Sequence, residues 1–285
     1  MVPTSVKTAY RLSTVIIVLA TIASAGGLFR TNLYRDNTFI KAAWHGNDFV
    51  TLFVVIPLMA IALVLTRRSS QRAHWLWLGG IGYMLYNYIF YLYGAAFNAF
   101  FLIYVAVFSL SVLTLILALA QVNILVLGTS FPLSSTVKWI AGFILFFALG
   151  WGGMEISRAL SFVFTHKVPA DIIATGHPTG VVYATDLSLL IPAMLLAGIL
   201  LWKHRPWGFA LSLIILFKGC AYGLALIAMA VFAANATGKW DAFTPVYIFL
   251  FTGSLIALLY LLRHLKPATR KDIHIHIHTT DSIIT

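Results

Sequence analysis

The sequence predicts an all-α polytopic membrane protein: eight transmembrane helices, arranged as a tandem duplication of a four-helix unit, with both termini cytoplasmic. Three observations predict it. Hydrophobic residues make up 61% of the chain, charged residues only 9%, and the mean hydropathy is +0.93, which leaves too little polar surface for a water-soluble globule of 285 residues. Eight apolar runs approach the ~20 residues that a bilayer core requires. Finally, the second half of the chain repeats landmarks of the first in the same order.

The first run, Ser13–Phe29, follows Lys7 and Arg11 and ends in Ala23-Ser24-Ala25-Gly26-Gly27. A cleavable signal peptide has the same layout. The run is kept as a span because its removal would leave one half a helix short. The other expected spans are Asp48–Thr66, Trp75–Tyr93, Phe97–Ala120, Trp139–Ser161, Val181–Trp202, Trp207–Phe232 and Thr244–Leu262. With a cytoplasmic N-terminus, twelve Lys or Arg side chains fall on the inner side and five on the outer side, while Arg158 and Lys218 lie within spans. That bias sets the orientation and points to the plasma (cytoplasmic) membrane. The net charge of +11 is spread over segment ends, where lipid headgroups meet it, so lipids are expected partners and nucleic acid is not.

The internal echo is collinear. Ile56-Pro57-Leu58-Met59 closes into Arg67-Arg68, and Ile191-Pro192-Ala193-Met194 closes into Lys203-His204-Arg205. His45 and His177 precede these spans, Trp75 and Trp207 open the next ones, and Asn87 and Tyr91 align with Lys218 and Tyr222. Residues 1–120 then form the first repeat, 121–137 a cytoplasmic connector, 138–266 the second repeat and 267–285 a flexible tail. An even number of helices per repeat inserts both halves in the same direction, the parallel kind of duplication.

Polar groups inside spans carry the functional expectation, because a charge in hydrocarbon costs on the order of 3 kcal/mol and persists only with a partner or a wet cavity. At 1.5 Å per residue, Lys218 and Asn87 lie about 16 and 20 Å from the inner face, Glu155 about 24 Å and Asp186 about 22 Å. Lys218 has no carboxylate at helical spacing on its own span, so Asp186 or Glu155 is expected to neutralise it. Glu155 and Arg158, three residues apart, can pair along one helix face. Asp48 and His177 are placed at an outer mouth, and Tyr91 and Tyr222 along the path to it. The expected ligand-binding set is therefore Lys218, Asp186, Glu155, Arg158, Asn87, Tyr91, Tyr222, Asp48 and His177.

These residues suit binding or transport of a small solute through an outward-opening cavity. The alternatives are an intramembrane enzyme, with Glu155 or Asp186 as base and His177 as acid, and a packing subunit of a larger complex. No cofactor is expected. His45 and Asp48 with Asp171, His177 and Asp186 are a weak zinc set. No span carries a mid-depth histidine to ligate haem. His274, His276 and His278 belong to the tail, and Asn235-Ala236-Thr237 is a bare glycosylation triplet. Cys220 has no partner for an intrachain disulfide.

Overall fold

The computed structural model describes residues 4–129, 131 and 136–265. Among them every regular element is helical. Ten helices follow in order: α1 (Thr4–Phe29), α2 (Thr38–Arg67), α3 (Gln71–Tyr93), α4 (Phe101–Leu119), α5 (Ile124–Thr129), α6 (Thr136–Thr165), α7 (Ala170–Thr175), α8 (Val181–Trp202), α9 (Pro206–Thr237) and α10 (Thr244–His264). Seven of them, α1, α2, α4, α6, α8, α9 and α10, are long and apolar enough to cross a membrane. The expected third span is the helix α3, whose 23 residues suffice in length. Its Trp, Tyr, Gly and Asn content keeps it out of that apolar set, and it is instead the most enclosed helix of the first half. The histidine-containing tail expected over 267–285 lies outside the described residues.

Helix ends follow local chemistry. Asn37 starts α2 by accepting the Ile40 amide at 2.9 Å, and Ser70 starts α3 through the Ala73 amide at 3.3 Å. Proline occupies the first turn of α9 and of α10, where a missing N–H costs nothing. Gly238 closes α9 at φ 72°, a left-handed conformation that glycine adopts without strain. Because Asn37 moves the start of α2 ten residues upstream of the expected Asp48, His45 lies within the helix rather than in a loop before it, and Asp48 lies in the helix interior rather than at its start.

Two π-helical turns interrupt α2 and α8, Thr51–Val55 and Asp186–Leu190. Each ends immediately before an Ile-Pro pair and each leads into 12 residues of α-helix. The cause is shared: proline has no N–H for the carbonyl one turn back and its ring crowds that carbonyl, so the preceding turn widens. The widened turns leave Thr51 and Asp186 buried.

In the first half α1 packs on α2 and α4, and α3 on α2 and α4, which closes a four-helix ring. In the second half α6 packs on α8, α8 on α9 and α9 on α10. The last pair of that ring, α6 and α10, meets through aromatic side chains. Phe143, Phe146 and Phe147 face Phe249 with ring centroids 5.9, 6.4 and 5.6 Å away, and Trp139 faces Tyr260 at 6.4 Å. Helix α9 joins the halves, touching α2 and α3 as well as α8 and α10. Small residues permit the approach, since a Cβ on Gly46 would stand 2.6 Å from the Met229 backbone.

Candidate functional site: a polar floor beneath an apolar cavity

The second half encloses a cavity of about 1040 Å³. Helices α6, α8, α9 and α10 form most of its walls, Phe39, Ile40 and Ala43 of α2 and Tyr86 of α3 complete them, and α7 with the 166–180 loop crosses its mouth. Asn37 ties that loop to the start of α2 by donating to the Ala174 carbonyl at 3.0 Å. Most of the lining is apolar, from Phe143, Phe147, Met154, Met194 and Leu250 among others.

The polar groups gather at one place. Tyr86 donates its hydroxyl to Asp186 Oδ1, while Trp151 shares its indole N–H between Asp186 Oδ2 at 3.1 Å and Glu155 Oε1 at 3.0 Å. Lys218 Nζ rests over two tyrosine rings, 3.5 Å from the centroid of Tyr86 and 4.5 Å from that of Tyr222. Those rings stand perpendicular at 5.0 Å and cradle the ammonium with their electron-rich faces. Glu155 Oε2 is buried and has no hydrogen-bond partner.

This corrects the expected ion pair. Neither Asp186 nor Glu155 comes within 4.0 Å of Lys218, and the carboxylate nearest in the network is reached through Tyr86. Glu155 does not pair with Arg158 either. The guanidinium turns to Asp171 in the loop, at 2.6 Å, where Tyr183 also donates to Asp171 at 2.7 Å. Among the described residues that is the one salt bridge, and it lies at the half-exposed mouth. A long arginine near a helix end reaches the interface more readily than it bends back along its own helix.

Asn87 and Tyr91 belong to a second, separate cluster in the first half. Asp48 Oδ1 accepts from Tyr91 at 2.9 Å and its Oδ2 accepts from Tyr34. Asn47 donates to Asn87 Oδ1 at 2.8 Å and to the Tyr91 hydroxyl at 3.0 Å, and Thr51 meets Tyr83 at 2.7 Å. Asp48 is thus a buried acceptor with both oxygens engaged, not a residue of an open mouth. Burial first, then the nearby Tyr91 and Asp48, holds the Tyr34 hydroxyl well above the ordinary tyrosine range, so it stays protonated and donating.

The zinc set disperses. Asp48 faces tyrosines, Asp186 faces Tyr86 and Trp151, and Asp171 faces Arg158. His45 lies beside the Tyr34 ring at 5.8 Å. His177 lines the cavity mouth and a neighbouring pocket of about 450 Å³, with no bond to Asp186 and its Nε2 unpartnered. Among the described residues no three His, Cys, Asp or Glu side chains stand close enough to hold a metal ion.

The residue that sequence reasoning missed is Trp151. It stands four residues before Glu155, one helical turn away, so the spacing carried the signal. Tyr86 was one of several tyrosines on the third span, and nothing in the sequence separated it from the rest. No family model matches the chain, and no match is found among the curated proteins or the solved structures.

Proposed function

We propose that the protein binds a small, largely apolar solute in the cavity of its second half and carries it across the membrane. In this proposal α3 completes eight spans, both termini are cytoplasmic, and the two halves arose by parallel duplication. The observation that carries the binding function is the 1040 Å³ cavity with buried ionisable side chains at its floor. Buried charges in a membrane protein mark solute or ion sites more often than they add net stability. The matched π turns before Pro57 and Pro192 support the duplication. Asymmetry between a closed first ring and an aromatic-bridged second one supports placing the site in the second half only.

The test is thermal unfolding of the purified protein against a panel of one- to three-ring amines, carboxylates and neutral analogues. Leu250→Trp, which fills the cavity from its wall, serves as the control. A solute that raises the unfolding temperature of the wild type and not of Leu250→Trp supports the site, and uptake of that solute into proteoliposomes separates transport from binding alone. A panel in which no member acts, or in which every response survives Leu250→Trp, overturns the proposal.

A further inference from the structure

The chain is strongly basic, yet the cavity is not. Of the eight acidic residues in the whole sequence, four line this one cavity: Glu155, Asp171, Asp186 and Asp241. They face three cationic side chains, Arg158, Lys218 and Lys239, so the lining carries one excess negative charge in a protein of net charge +11. At the mouth Arg158 and Asp171 cancel at 2.6 Å. At the floor the carboxyl groups of Asp186 and Glu155 meet at the Trp151 N–H, and the single ammonium of Lys218 stands beyond the Tyr86 ring.

Occupancy decides which charge remains available. Both Asp186 oxygens accept hydrogen bonds, from Tyr86 and Trp151. The Lys218 ammonium is covered by the Tyr86 and Tyr222 rings and the residue is 8% exposed. The Trp151 N–H is already divided between two acceptors, so that ring has no free donor for an incoming anion. Glu155 Oε2 is the exception: a carboxylate oxygen in a side chain only 1% exposed, on the cavity lining, with nothing donating to it. A buried carboxylate oxygen without a partner is unfavourable, and a ligand that brings a positive charge to it, with or without an N–H, offsets that cost. Trp151, Phe147 and Tyr222 are among the aromatic side chains that line the same cavity, and aromatic walls suit a cation.

We propose that the ligand of this cavity is a monocationic amphiphile, an amine or quaternary ammonium on an apolar body, whose positive charge is held by Glu155. This rests on the cavity being the binding site and adds the sign of its ligand. In it Lys218, held over the Tyr86 and Tyr222 rings, is not the group that meets the ligand.

Tetraphenylphosphonium and tetraphenylborate share a shape and differ in sign, so they isolate the charge. Binding is measured at pH 8.5 by equilibrium dialysis in detergent, with the Leu250→Trp signal subtracted to remove micelle partition. The cation is expected to bind and the anion not to. Glu155→Gln lowers cation affinity at least tenfold, Glu155→Asp retains part of it, and Lys218→Met, which removes a like charge from the floor, tightens it. A preference for the borate that Lys218→Met abolishes would overturn the assignment while leaving the cavity as a site. Equal binding of both ions, unaffected by Glu155→Gln, would show that the site does not read charge and would overturn it too. Loss of binding in Lys218→Met as well as Glu155→Gln, with both variants eluting as the wild type does, assigns both groups to packing and ends the inference.

Discussion

Tyr86 is asked to do two things, and two substitutions separate them. Its hydroxyl donates to Asp186 Oδ1, and its ring lies 3.5 Å beneath the Lys218 ammonium. Tyr86→Phe deletes the first and keeps the second. The loss leaves one oxygen of a buried carboxylate unpaired, and a hydrogen bond to a charged group contributes about 1.5–3 kcal/mol. A change of about 2 kcal/mol in unfolding free energy is close to thirtyfold in the equilibrium constant. Tyr86→Leu deletes both. For a desolvated ammonium on a ring face the further loss is about 2 kcal/mol, beyond the packing lost with the ring. A cycle with Lys218→Met isolates that part, because the Tyr86→Leu penalty relative to Tyr86→Phe should shrink by about 1–2 kcal/mol once the ammonium is gone. Reversible unfolding of the purified protein in mixed micelles, followed by tryptophan fluorescence, supplies the four free energies. Two results would refute the reasoning: Tyr86→Phe within about 0.5 kcal/mol of the wild type, the range of an inconsequential substitution, or a cycle in which Tyr86 and Lys218 are additive.

Further substitutions test the packing and the first-half cluster. Gly46→Ala sets a methyl group 2.6 Å from backbone atoms of Met229 and is expected to cost about 1–3 kcal/mol by forcing α2 away from α9; Gly150→Ala, which meets nothing within 4 Å, should be neutral or slightly stabilising in the same thermal scan. Asp48→Asn replaces an acceptor of two tyrosine hydroxyls by a group whose amide opposes one of them, so it should lower stability by about 1.5–3 kcal/mol. Most of that loss should vanish when Tyr34→Phe is already present, and an undiminished loss in the double variant would remove Tyr34 from the cluster.

Composition and run length alone were sufficient to read a helical membrane protein, because burial in lipid demands apolar stretches of fixed minimum length. Pro57 and Pro192, used in the sequence only as landmarks of the repeat, also account for where α2 and α8 deviate, since a proline disturbs the turn before it in any surroundings. Lys218 was legible as a buried charge for the same local reason. Its partners were not. Counting residues measures depth along a helix axis and says nothing of rotation about that axis or of what stands between two groups at equal depth. Asp186 and Glu155 matched Lys218 equally by depth, and only the packed bundle interposes Tyr86, engages Asp186 fully and leaves one oxygen of Glu155 open. Arg158 likewise had a carboxylate one turn away on its own helix, and the fold brought Asp171 to it from a loop. Asn87 and Lys218, aligned by sequence, stand in different clusters, because α1 to α4 close into a ring filled by tyrosines whereas α6 and α10 meet only across aromatic side chains and leave a cavity between them. A gap between helices is a property of how surfaces fit, and no single stretch of sequence contains it.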